Sequence, residues 1–395
     1  MRILWTIPYL PWPTTSGGKV RQYHLLRTLA ARGHRITLLV QSKTPLTPEV
    51  EAHLSPLLER LVFVPRRPLK HPVTLCAAMF GSQPLLASVN GLSPELESKF
   101  DALLDEKWDV IHIEHTYSFQ PFMAILKRRG LPFMITEHNV ESRLSGATYN
   151  KLPPWLKPLA HYDRWRYQRW ERRVLGSARC VIAVTDDDAR ALEEISGRPT
   201  RVVVNGVDVS AFAEVIPDLP SRRVLFIGNY EYAPNVDAVE WAVRDIFPRV
   251  WETLPDIRFT VCGFALPERW RTAYPDKRIE WRGYVERLTT VQNESALFLA
   301  PLRDGGGSKL KVLEALAAGL PLVSTAQGVS GLALEAGRHY LPGETAEDLA
   351  RQIIFGLEHP AQCQAIGMAA RKAVAGAYDW QMAAAQLEAI YHEFT

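Results

Sequence analysis

Cysteine is scarce: four in 395 residues, at positions 76, 180, 262 and 363, with no Cys-x-x-Cys pair and no pairable cluster with histidine. That argues against a disulfide framework and a structural zinc site and predicts a reducing compartment. No stretch approaches the roughly 18 apolar residues of a membrane helix, and the apolar start after Arg2 is broken by Pro8, Pro11 and Pro13. The expectation is a cytoplasmic chain with neither signal peptide nor anchor. The Walker motif Gly-x-x-x-x-Gly-Lys-Ser/Thr cannot be laid on GGGSK at 305–309. Gly-x-Gly-x-x-Gly after the first strand is also missing, and with it an acidic residue closing the second strand, which disfavours a nicotinamide dinucleotide site. Net charge is small, 46 Lys/Arg against 43 Asp/Glu, although residues 1–210 hold 28 against 20. The basic residues are spread over many elements, so the surplus reads as solubility and no nucleic-acid partner is expected.

What is present is an alternating α/β pattern, 47% hydrophobic and without low-complexity tracts, in a chain too long for one ordinary core. MRILWTI, a loop with Gly17 and Gly18, a helix ending at Gly33 and HRITLLV form a βαβ unit. By themselves the two glycines mark a plain strand-to-helix turn. DVIHIEH (109–115) and LPFMITEHN (131–139) are apolar strands with polar C-terminal ends. In an open parallel sheet ligands bind outside those ends, so Glu114, His115, Glu137, His138 and Asn139 are expected to cluster there. Residues 151–173 interleave Trp155, Tyr162, Trp165, Tyr167 and Trp170 with seven Lys/Arg against two acids. Such a helix either meets anionic lipid or packs its rings on the sheet with its arginines in solvent. TDDD at 185–188 contains Asp-x-Asp, but Thr185 and three Asp at a helix start are what capping and the helix dipole favour, and no metal site is expected. The Pro-containing stretch 216–221 reads as a linker, and RVLFIGNYEYAPN opens a second α/β series.

The most informative stretch is 304–325, DGGGSKLKVLEALAAGLPLVST. Gly306 and Gly307 free backbone N–H groups for an anion, Ser308 is placed to cap the helix, and the helix dipole aims at the same point. On a helical wheel Leu310, Leu313 and Ala317 point inward, Glu314 lies on the Leu310 edge of that stripe, and Lys311 points about 200° from Lys309. A first-turn Lys309 opposes the dipole unless an anion is bound. Glu314 either snorkels or pairs with an arginine, or it serves a ligand.

KVLEALAAGLPLVST resembles the donor-site helix of the retaining family-four glycosyltransferases of GT-B fold. The resemblance covers nearly the whole chain, densest over 304–325. It implies an α/β fold of two Rossmann-like domains whose parallel sheets face across a cleft. The acceptor side would be 1–208 with a C-terminal helix 378–395 crossing back, and the donor side 209–377. It also implies that Glu314 holds the nucleotide ribose, that His138 lies beside the anomeric centre, and that the Gly17–Gly18 loop approaches the donor phosphates. Gly228 and Asn229 would stand on the donor loop, Tyr284 and Val285 would cup the base, and Gly306, Gly307, Ser308 and Leu310 would line the phosphate cradle. Glu114, His115, Glu137 and Asn139 are the acceptor-side candidates. The family's first signature Glu falls on Gly306, and its diphosphate-binding Arg and Lys fall on Asn229 and Pro234, which leaves Lys309 as the nearest cation. The implied reaction moves a sugar from a nucleotide-sugar donor to a glycan, lipid-linked or small-molecule acceptor, with no metal or other cofactor. Peripheral contact with the inner face of an anionic membrane accompanies a lipid-linked acceptor. A nucleotide-sugar epimerase of the same fold and a catalytically decayed sugar-nucleotide binder are the alternatives.

Overall fold

The computed structural model describes residues 1–67, 71–73, 76, 81, 83–91, 93–142, 157–305 and 309–395. The chain divides into two compact units, Met1–Val204 with Ala383–Thr395, and Asn205–Met382.

The first unit is built on seven parallel strands: β1 (Arg2–Ile7), β2 (Arg35–Ser42), β3 (Arg60–Pro65), β4 (Val110–Glu114), β5 (Met134–Thr136), β6 (Cys180–Ala183) and β7 (Thr200–Val202). Their order is β3-β2-β1-β4-β5-β6-β7. Both faces are covered by helices, so strands such as RILWTI and RITLLVQS are buried almost end to end. The order reverses between β1 and β4, which makes the C-terminal ends of those strands the ligand crevice of this sheet. The helix Asp186–Ser196 starts as the composition dictates: the Thr185 side chain accepts from the Asp188 N–H, and Asp186, Asp187 and Asp188 fill its first turn.

The second unit repeats the scheme with β8 (Arg223–Ile227), β9 (Arg258–Cys262), β10 (Ile279–Gly283), β11 (Leu297–Ala300), β12 (Leu322–Ser324) and β13 (Leu341–Pro342), in the order β10-β9-β8-β11-β12-β13. This is the Rossmann order, with its switch point between β8 and β11. Loops at the ends of β8 and β9 touch backbone to backbone: Gly263 has φ +137°, and a Cβ there would fall 1.7 Å from the Gly228 carbonyl oxygen.

The stretch 216–221, expected to link the domains, lies inside the second unit. The Arg371 guanidinium ties down the chain before it, donating to the carbonyls of Phe212 and Val215 at 3.0 and 3.3 Å, while the Ile216 N–H donates to Asn293 Oδ1 at 2.9 Å. The division falls at Val204/Asn205 instead, a few residues before the expected 208/209. At the other end, Ala383–Thr395, which includes most of the helix Trp380–Phe394, belongs to the first unit. There Tyr391 hydrogen-bonds His112, and Glu388 meets Arg32 and His34.

Candidate active site

In the first unit the polar tips of β4 and β5 converge beside the Gly17–Gly18 turn. The Glu114 side chain is fully buried, and its carboxylate accepts the Trp5 indole N–H at 3.1 Å and contacts His138 Nε2 at 3.0 Å. Burial opposes ionisation of Glu114, but the hydrogen bond to His138 and the combined influence of His112, His138 and His115 outweigh it and hold the carboxyl below its usual range. His138 is lowered as well, to about 4, by burial and by the neighbouring His115. An ionised Glu114 therefore meets a neutral imidazole whose Nε2–H donates to it. Nδ1 is left as an acceptor, on the side where a methyl at Gly18 would lie 3.5 Å away. The same methyl would lie 2.6 Å from the Tyr9 hydroxyl, so only glycine lets the helix Gly17–Ala31 start this close to the strand ends.

His115, at φ +67°, turns the chain sharply after β4. Its ring stacks on Tyr117 at 4.6 Å, lies 4.4 Å from the His138 ring and contacts the Tyr9 hydroxyl at 3.3 Å. Burial alone would lower its pKa, but Glu137, with Nδ1–Oε2 at 3.5 Å, and the charges of Glu114 and Glu141 raise it. Glu137 is buried and accepts the Thr116 N–H at 2.5 Å, and Asn139 stands partly exposed beside His138. The ligand atoms of Glu114, His115 and His138, and those of His115, Glu137 and Glu141, lie within 4.8 Å of one another, close enough to hold a metal ion.

Behind these tips runs a layer that the sequence did not announce. His112 stacks on Trp5 at 4.4 Å and bonds Thr136 Oγ1 and the Tyr391 hydroxyl. Burial depresses His112 to about 4, so it stays neutral in the fold but takes a proton when unfolded below about 6.5. Stability of the first unit is therefore expected to decline as pH falls from 6.5 toward 4. Urea midpoints at pH 7.5 and 5.0 should differ less in His112→Gln than in the wild type.

In the second unit the helix Leu310–Ala317 is buried on every side except along Lys311 and Glu314, which sit one turn apart. Burial raises the Glu314 carboxyl to about 7 and lowers the Lys311 ammonium to about 7, the latter with help from Lys309. Lys309 is the N-cap of this helix (φ −92°, ψ 76°), the place expected for Ser308, and its Nζ donates to the Gly305 carbonyl at 2.7 Å. Because Lys309 precedes the helix, the wheel did not apply to it. Lys311 does not point away: its Nζ bonds Asn235 Oδ1 and lies 4.8 Å above the Phe226 ring, at the end of β8. Lys311 and Asn235 were missed, although a lysine in an otherwise apolar helix, three residues before a carboxylate, was the available signal. Leu310, the first residue of this helix, is buried. Gly228 and Asn229 follow β8, with Asn229 O accepting from Asn235 Nδ2 at 2.8 Å. Tyr284 and Val285 follow β10, the tyrosine ring exposed. Gly306, Gly307 and Ser308 lie outside the described residues.

The aromatic and basic segment becomes the helix Lys157–Ser177, with Trp155 outside the described residues. Its rings divide. Tyr167 and Trp170 are buried, bonding Thr116 Oγ1 and Thr116 O, both at 2.9 Å. Tyr162 and Trp165 remain 55% and 49% exposed and stack on each other.

Two family descriptions match the chain in succession: "Glycosyl transferase 4-like domain" over residues 16–208 and "Glycosyl transferases group 1" over 221–359. A glycogen synthase of Mycobacterium tuberculosis is 25% identical over 99% of this chain and 94% of its own. A phosphatidyl-myo-inositol mannosyltransferase of Mycolicibacterium smegmatis is 25% identical over 72% of this chain and 71% of its own. Among solved structures, Anabaena HepE in complex with UDP and glucose superposes with a TM-score of 0.71 at 15% identity, covering 100% of both chains. These relatives do not favour an epimerase or a decayed binder. Two Rossmann-like domains in series, each matched by its half of one family, make this chain a member of the family-four, group 1 glycosyltransferases of GT-B fold, which transfer sugar from nucleotide-sugar donors.

Proposed function

We propose a retaining, metal-independent hexosyltransferase in which the second unit binds a nucleoside-diphosphate sugar and the first carries the acceptor-side groups. The observation that carries this reading is the Lys311–Glu314 stripe, the one opening in a helix otherwise buried in apolar contacts, beside the switch point of its sheet. Glu314 holds the ribose hydroxyls, Lys309 and the loop N–H groups stabilise the departing diphosphate, and Tyr284 and Val285 border the base. His138 supplies a neutral acceptor nitrogen for a sugar hydroxyl, with Glu114 fixing its tautomer. Glu137, His115 and Asn139 form the surroundings of the acceptor. HepE binding UDP and glucose supports a donor of this class. Mass spectrometry of the purified enzyme with UDP-, GDP- and ADP-sugars, with and without EDTA, tests it. Transfer or slow donor hydrolysis that persists in EDTA is expected, and activity that vanishes with EDTA and returns with magnesium overturns metal independence.

The acceptor we propose is lipid-linked, reached at the inner face of an anionic membrane. The outer face of the helix Lys157–Ser177 exposes Lys157, Arg164, Arg169, Arg172 and Arg173 around the Tyr162–Trp165 pair, while both of its acids, Asp163 and Glu171, are buried. A cationic face with two exposed rings suits anionic head groups. The mannosyltransferase relative, by its name, acts on a phosphatidyl lipid. Arg166, first counted with this face, is buried and donates to Gly81 O at 2.9 Å, so its reversal would disturb the fold. Reversing Arg164, Arg169 and Arg173 to Glu is expected to abolish co-sedimentation with phosphatidylglycerol vesicles. Unchanged co-sedimentation would remove the membrane reading.

A further inference from the structure

The positive charge absent from the loop after β8 arrives there from another element. Asn229 and Pro234 are uncharged, yet the Lys311 ammonium is delivered to Asn235, the residue after Pro234, from the helix Leu310–Ala317. Three observations describe its surroundings. Among the described residues its contacts are an amide oxygen and the face of the Phe226 ring, neither of them an anion. The Lys309 ammonium disfavours its charge more than Glu314, itself pushed toward neutrality by burial, favours it. Finally, Lys311 sits at the switch point between β8 and β11, where a parallel sheet of this kind receives its ligand.

We propose that Lys311 is the diphosphate-binding cation of this enzyme, held in place by Asn235 and acting on ground-state affinity, while Lys309 acts as the leaving group departs. This rests on the second unit being the donor site. A half-buried ammonium with no anion bonded to it among the described residues weakens the ligand-free fold, and a dianionic diphosphate supplies such a partner. Asn235, which also donates to Asn229 O, fixes the reach of the lysine without neutralising it.

The two consequences have opposite signs, which separates this role from a structural one. Lys311→Met keeps the length of the side chain and removes the charge. Its melting temperature without ligand should equal or exceed that of the wild type, while affinity for the tightest of UDP, GDP and ADP falls about 10- to 100-fold. Affinity for the matching monophosphate should fall less. Lys311→Arg should stay closer to the wild type than Met does, and Lys372→Met, an exposed lysine of the helix Pro360–Ala377, should change neither quantity. If Lys311→Met binds the diphosphate as the wild type does, or if stability and affinity fall together while Arg fares no better, Lys311 is not the diphosphate cation. If the wild type binds none of the three diphosphates, the donor-site reading fails and this assignment with it.

Discussion

Lys309→Met is expected to lower kcat by about 10²–10³ while donor KM moves far less. Charge accumulates on the diphosphate as the glycosidic bond breaks, so a cation at the mouth of the glycine loop stabilises the transition state beyond the bound donor. In the structure the Lys309 Nζ is held by Gly305 O at 2.7 Å, and Gln327 Nε2 donates to the same carbonyl at 2.6 Å. Gln327 can therefore keep the start of the loop in place when the lysine is replaced, and the loss should appear in rate. Steady-state kinetics of Lys309→Met beside Lys311→Met make the check, the first losing kcat and the second donor affinity. Equal losses of KM in both, with kcat retained, would deny Lys309 its role.

Glu314→Ala should weaken nucleoside diphosphate binding by about 1.5–3 kcal/mol, the magnitude of a lost charged hydrogen bond. The pH dependence makes the assignment sharper. Glu314, raised to about 7, takes up a proton as pH falls through neutrality and is then a poorer acceptor for ribose hydroxyls. Lys311, lowered to about 7, loses its charge as pH rises through the same range. Diphosphate affinity should therefore peak near neutrality and decline on both sides. Glu314→Gln should flatten the acid limb and Lys311→Met the alkaline one, as read by calorimetric titration from pH 6 to 8.5. An unaltered affinity profile in a folded Glu314→Gln would sink the ribose role.

Much of this site could be read from the chain because local pattern and topology coincide. DVIHIEH and LPFMITEHN are apolar until their last residues, and in a parallel sheet a strand that turns polar at its C-terminal end does so at the crevice. Glu114, His115, Glu137 and His138 are brought together for that reason. The helix beginning at Leu310 was legible from its apolar face, but the side-chain directions at its start were not. A wheel assumes helical dihedrals, and Lys309 at φ −92°, ψ 76° has left them. Arg166 looked solvent-exposed because a basic run on a helix usually is, whereas its guanidinium bonds Gly81 O, a partner 85 residues away. The linker reading of 216–221 failed for a similar reason. Prolines at 217 and 220 signal an irregular stretch, but Arg371 anchors the segment just ahead of it, and nothing local to 216–221 reveals that.

The His112–Tyr391 contact joins residues 279 positions apart, and Glu388 and Glu393 reach Arg32 and Arg201 from the same terminal segment. Ala383–Thr395 is translated after all of Asn205–Met382, although it belongs to the unit that was begun first. The nascent first unit must therefore wait with His112 lacking its tyrosine and Arg32, His34 and Arg201 lacking their carboxylates. At roughly 5–20 residues per second the wait is on the order of 10–40 s. The second unit has no comparable dependence on a later segment: all of Asn205–Met382 precedes Ala383, so its sequence is complete before that of the first unit. Completion of the first unit thus depends on a segment made after the whole of the second.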